Sequence, residues 1–104
     1  MAILQIEVPA ERIEAFCRKW KVREFALFGS VLREDFGPDS DVDVLVTFDT
    51  DAHWSLFDLA EMRDELRTIF GREVDLATRR GVEASRNPQR RAAILSSAQV
   101  IYAA

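Results

Sequence analysis

Phe25-Ala26-Leu27-Phe28-Gly29-Ser30, followed after ten residues by Asp41-Val42-Asp43-Val44-Leu45-Val46, is the stretch that decides the fold. The unbroken apolar run at 25–28 marks a short central strand buried on both faces. Gly29-Ser30 stops it, and Ser30 is placed to cap a short helix through about Asp35. Gly37-Pro38-Asp39-Ser40 is a cluster of turn formers. Asp41 to Phe48 then reads as a second strand, rich in Val and alternating until Leu45. Successive side chains of a strand point to opposite faces, so Asp41 and Asp43 project from one face while Val42, Val44 and Val46 take the other.

Helical and strand patterns alternate outward from this centre. Ile13, Phe16, Cys17 and Trp20 recur at helical spacing and define one face of a helix starting near Pro9. A long helix is expected from Ser55 to Phe70, with Leu56, Leu59, Ala60, Leu66, Ile69 and Phe70 as its buried face and Gly71 as its stop. Glu73 to Ala77 reads as a third strand, and residues 78–87 as a polar, arginine-bearing loop. Asn87-Pro88 opens a final helix by a cap and a first-turn proline, and Gln99 to Tyr102 adds an edge strand. No repeat or linker divides the chain. The expectation is one domain over 1–104 of the α/β (α+β) class, a small mixed sheet flanked by helices.

Composition narrows the function classes. The net charge is -4, from 14 basic and 18 acidic residues, and the signs are segregated. Residues 34–65 carry eleven acids against Arg63 alone, whereas 79–91 carry Arg79, Arg80, Arg86, Arg90 and Arg91 against Glu83. An acidic total speaks against duplex nucleic acid as the main partner, because phosphate neutralisation dominates that affinity. A carboxylate-rich middle segment suits a cation instead. No stretch approaches the roughly 18 apolar residues of a membrane span, and Glu7, Glu11 and Arg12 stand where a signal peptide would need an apolar core. With a single cysteine, Cys17, on an apolar helical stripe, the expected setting is the cytoplasm, with that thiol reduced and buried.

The chemistry concentrates on the carboxylates. Two of them on one side of a buried strand repel each other and are costly to desolvate, and a divalent cation relieves both problems. One or two carboxylates plus substrate phosphates is the usual Mg²⁺ environment. Asp75, between the apolar Val74 and Leu76, emerges opposite them and comes to the same face if the strands are neighbours. Asp41, Asp43 and Asp75 around two metals would form a site for phosphoryl or nucleotidyl transfer, with Asp75 the candidate proton acceptor. Gly29 between strand and helix lets the backbone approach a triphosphate, Ser30 offers a hydroxyl, and Arg33 one turn on is a candidate phosphate contact. His53, the one histidine, reads as an exposed loop residue. Trp20 and Trp54 are anchors of the core or of an interface.

The stretches Leu27-Phe28-Gly29-Ser30-Val31-Leu32-Arg33, Ser40-Asp41-Val42-Asp43-Val44-Leu45-Val46 and Val74-Asp75-Leu76 closely resemble the minimal nucleotidyltransferases (MNT family) of the DNA polymerase beta superfamily. The resemblance implies a polymerase beta palm-like nucleotidyltransferase fold. It implies Mg²⁺ at two sites, ATP as substrate, and Asp41, Asp43 and Asp75 as metal ligands. It also implies a partner: family members often serve as antitoxin to a HEPN-domain ribonuclease toxin, and MntA-like members transfer AMP to a tyrosine of that toxin. Nucleotidyltransferases that act on tRNA or aminoglycosides carry further acceptor-binding domains, so a chain of 104 residues is expected to find its acceptor in a partner protein. Two alternatives stand beside this reading. One is an antitoxin that neutralises its toxin by binding alone. The other is one subunit of a small-molecule or RNA nucleotidyltransferase.

Overall fold

The computed structural model describes residues 8–29, 37 and 40–104. The expected short helix from Ser30 to Asp35, with Arg33 in it, and the turn positions Pro38 and Asp39 lie outside the described residues. Helix α1 (Ala10–Lys19) leads into strand β1 (Val22–Phe28), then strand β2 (Val42–Phe48) and helix α2 (Leu56–Phe70). Strand β3 (Val74–Thr78), helices α3 (Arg79–Glu83) and α4 (Pro88–Ser97), and strand β4 (Gln99–Ala103) complete the chain. The strands form a four-stranded sheet in the order β3-β2-β1-β4. β1 pairs antiparallel with β2 and with β4, whereas β2 and β3 run parallel and are joined by α2 as crossover.

Alternation along the strands divides the apolar residues between two faces. Val42, Val44 and Val46 of β2, with Phe25 and Leu27 of β1, pack against Ile13, Phe16 and Cys17 of α1 and Met62 and Leu66 of α2. Ala26, Phe28 and Leu45 point the other way, where Val82 of α3 and Ile94 and Leu95 of α4 cover them. The first cluster dominates the energetics. Fully burying one large apolar side chain contributes about 1.5–3 kcal/mol, and Phe25, Leu27, Val42, Val44, Val46, Met62 and Leu66 are all 0% exposed. The ion pairs, by contrast, lie at the surface, as with Lys19–Glu65 at 3.1 Å, where each contributes about 0–1 kcal/mol.

Local chemistry sets the helix ends. Ser55 accepts from the Asp58 amide at 3.2 Å and the Asp58 carboxylate accepts from the Ser55 amide at 2.9 Å, a reciprocal capping box. Gly71 closes α2 with φ 67°, a left-handed position that a glycine takes without a Cβ penalty. Asn87 Oδ1 accepts from the Arg90 amide and Pro88 takes the first turn, so α4 starts where its sequence predicts.

Two expectations change. Residues 79–83 are helical rather than loop, because Thr78 caps them through its side chain to the Gly81 amide at 3.0 Å and Val82 finds an apolar seat. On α2, Leu56 is 83% exposed and Ala60 faces solvent, while Met62 is fully buried. The helix presents the face through Leu59, Met62, Leu66 and Ile69 to the sheet, which leaves Leu56 on its flank.

The tryptophans are core anchors. Their rings meet edge-to-face at 5.1 Å, Trp54 Nε1 donates to the Trp20 carbonyl, and Trp20 Nε1 donates to Glu65. Cys17 is buried, and burial pushes its thiol from 9.0 up to about 12. At neutral pH it is therefore a packing residue without nucleophilic character. Among the described residues no helix is long and apolar enough to cross a membrane.

Candidate active site

Phe28, at the end of β1, pairs with Asp43 of β2, and Asp43 in turn pairs with Asp75 of β3. Paired residues in a sheet share a face, so the two carboxylates stand side by side on neighbouring strands roughly 4.8 Å apart. Two sets of hydrogen bonds fix that register. The Val42 amide donates to the Glu73 carbonyl at 2.9 Å, tying the start of β2 to the start of β3. Arg72 Nη1 donates to the carbonyls of Gly37 at 2.7 Å and Ser40 at 3.3 Å, holding the turn that feeds β2 against the end of the α2 crossover. Reading the sequence passed over Arg72. Its only local signal is its position directly after the helix-ending glycine.

Gly29 completes the approach to this pair. Its φ is +73°, and a Cβ built on it would overlap Oδ2 of Asp43 and stand 3.2 Å from its Cγ. The backbone therefore passes the carboxylate at a distance that no other residue type allows.

Phe28, Gly29, Asp43 and Asp75 form one side of an open cleft of about 470 Å³, and Arg90, Ala93, Ile94 and Ser97 of α4 form the other. That volume lies within the ordinary range of ligand sites. Asp43 is half-buried and Asp75 exposed, so both carboxylates are open to solvent from the cleft.

The predicted residues are distributed as follows. Asp43, Asp75 and Gly29 come together in the cleft. Asp41 stands one residue before β2, exposed, and is not part of the cleft wall. Among the described residues no group of three His, Cys, Asp or Glu side chains is placed to hold a metal ion. Ser30 and Arg33 lie outside the described residues. His53 is exposed, as expected of a loop histidine.

Asp43 and Asp75 offer oxygen ligands that fit a hard divalent cation. They are adjacent like charges on one face of the sheet, and oxygen ligands of this kind suit Mg²⁺ when substrate phosphates supply further oxygens.

Known proteins resemble this chain along most of its length. A candidate protein adenylyltransferase of Methanocaldococcus jannaschii is 38% identical over 64 residues, which is 62% of this chain and 64% of that protein. The chain thus spans less than two thirds of that relative. A solved structure of a candidate minimal nucleotidyltransferase is 31% identical, covers 86% of each chain and superposes with a TM-score of 0.64. Two toxin–antitoxin complexes share the fold at 18% identity. The crystal structure of one was determined with AMP-PNP (TM-score 0.71, 93% of this chain and 75% of that one). The other pairs an MNT antitoxin with a tri-AMPylated HEPN toxin of Shewanella oneidensis (TM-score 0.63, 91% and 70%). The nucleotidyltransferase domain family matches residues 10–101, from the first residue of α1 into β4. A match of that extent covers both strands that carry the cleft carboxylates, and the chain belongs to the nucleotidyltransferase domain family.

Proposed function

We propose that the protein is an antitoxin that transfers AMP from ATP to a tyrosine hydroxyl of a HEPN-type toxin. The observation that carries this reading is the register pairing of Asp43 with Asp75 in the wall of a cleft that Gly29 also lines. Adjacent like charges on neighbouring strands oppose folding by up to about 1 kcal/mol, and a divalent cation shared with substrate phosphates relieves that repulsion. The kinship to protein adenylyltransferases and to antitoxins in complex with their toxins supports the acceptor class.

In the reaction, the acceptor oxygen attacks the α-phosphorus of ATP. The bond from that phosphorus to the oxygen bridging to the β-phosphate breaks, and pyrophosphate leaves with the electron pair. The acceptor's proton passes to the Asp75 carboxylate, which stands exposed at the cleft mouth and can release it to water. Asp43, half-buried beneath it, holds the donor end of the site. Gly29 brings the backbone close enough for the phosphates to enter without a side chain in the way. Mg²⁺ held by Asp43 and Asp75, with Asp41 as a further candidate, would neutralise phosphate charge and lower the pKa of the acceptor hydroxyl. Arg33 remains a candidate phosphate contact. The setting is the cytoplasm.

Co-expression separates catalysis from simple occlusion. Wild-type protein produced with the toxin encoded beside it should restore growth, whereas the Asp43→Ala, Asp75→Ala double variant, present at the same level and still co-purifying with the toxin, should not. Full rescue by the double variant would assign neutralisation to binding alone and remove the transferase reading of the antitoxin role.

A further inference from the structure

Five arginines lie between residues 79 and 91, and the fold gives them different surroundings. Arg79 pairs with Glu83 at 3.7 Å on the same helix. Arg91 reaches back to the carbonyls of Glu83 at 3.5 Å and Ser85 at 3.3 Å, so its guanidinium serves the α3–α4 connection. Arg80 is exposed on α3, in the wall of a different depression formed with Asp49 and His53. Arg90 alone among the five lines the cleft that contains Asp43, Asp75 and Gly29. It also lines the adjoining smaller cleft of about 210 Å³, bounded by Thr78, Val82 and Ser85, so it stands on the ridge between the two.

The position is set by the backbone. Asn87 caps α4 through its side chain to the Arg90 amide at 3.1 Å, which fixes Arg90 in the first turn. Ile94, one turn on, packs on the sheet beside Phe28 and Leu45 and holds that turn over the carboxylate face. Arg90 itself is exposed, so its guanidinium is solvated and open to a ligand in the cleft.

Charge decides what that ligand is. Among the described residues the cleft presents two carboxylates and one guanidinium, which sum to about -1 when all three are ionised. A polyphosphate entering beside carboxylates meets repulsion that a cation bound by Asp43 and Asp75 offsets on one side only. A guanidinium on the opposite wall offsets it on the other side, and its planar fork matches two phosphate oxygens at once.

We propose that Arg90 binds the polyphosphate of the donor nucleotide from the α4 side of the cleft. The inference rests on the nucleotidyltransferase reading of Asp43 and Asp75 and adds a residue to it that lies 15 positions beyond the last of them in sequence. Arg90 holds the leaving pyrophosphate end in line while the carboxylates address the α-phosphate and the acceptor.

Calorimetric titration of the purified protein with AMP-PNP and Mg²⁺ tests this, with melting midpoints read for every variant. Arg90→Ala should weaken AMP-PNP binding by about tenfold, the scale of one charge-assisted hydrogen-bonded contact. Arg90→Lys should fall between that variant and wild type, because it keeps the charge and loses the fork. Arg80→Ala should bind as wild type does, and all melting midpoints should agree within a few degrees. Equal affinity of wild type and Arg90→Ala would overturn the role of Arg90 while leaving the carboxylate site standing. Equal loss in Arg80→Ala would also overturn it, by reducing the effect to general surface charge. If the wild type takes up no AMP-PNP with Mg²⁺, the nucleotidyltransferase reading itself fails, and the inference with it.

Discussion

Asp43→Ala is expected to lower the rate of AMP transfer about a thousandfold or more while leaving the fold intact. The two effects separate because Asp43 is half-buried at a cleft wall and not in either apolar cluster. Removing a carboxylate that positions a cation against a transferring phosphoryl group forfeits several kcal/mol of transition-state stabilisation, and about 4 kcal/mol corresponds to a thousandfold in rate. On the stability side, the substitution ends the like-charge contact with Asp75 across the β2–β3 register. The melting midpoint measured without divalent ion should therefore stay within a few degrees of wild type. A steady-state rate within tenfold of wild type would show that the paired carboxylates are not the reacting centre.

The second large effect is Gly29→Ala. The added methyl would fall on Oδ2 of Asp43, and the residue would have to keep φ at +73°. A non-glycine residue in the left-handed region costs about 1 kcal/mol, and the overlap is met by moving the Asp43 side chain. Displacing a positioning group by about 1 Å costs on the order of a hundredfold in rate. The expected result is a loss of about a hundredfold in activity with a drop of roughly 5–10 °C in melting midpoint. The clash should vanish when its partner is removed. In the Asp43→Ala background, Gly29→Ala should add no further loss of activity and a smaller loss of stability, which a double-mutant cycle reads directly. Additive losses in both quantities would mean that Gly29 acts by some route other than its approach to Asp43.

The period of two along β2 and β3 made much of this site legible in advance. Apolar residues at 42, 44 and 46 and at 74 and 76 leave Asp43 and Asp75 nowhere to point but the opposite face, and the sheet keeps that arrangement. What alternation does not contain is register. Placing Asp43 beside Asp75, rather than two residues along, depends on the length of the α2 crossover, the Val42–Glu73 hydrogen bond and the Arg72 clamp, all of them non-local. Asp41 shows the same limit from the other side. It shares the parity of Asp43, but β2 begins only at Val42, so Asp41 ends up exposed and away from the cleft wall. The missed helix α3 had a legible cap in Thr78, yet Gly81 and the flanking arginines read locally as loop, and it is the apolar seat for Val82 that favours helix. Arg90 was one of five similar residues in sequence. It becomes particular only when Asn87 caps α4 and Ile94 docks that helix across the carboxylates.

The central claim is transfer of a nucleotidyl group to a protein acceptor at the Asp43–Asp75 cleft. The measurement that tests it most directly compares ATP labelled at the α-phosphate with ATP labelled at the γ-phosphate, each incubated with Mg²⁺, the protein and its co-purified partner. The α-label is expected to become covalently attached to the partner, the γ-label is not, and attachment should disappear with Asp43→Ala. Attachment of the γ-label, or α-label transfer that survives Asp43→Ala unchanged, would contradict it.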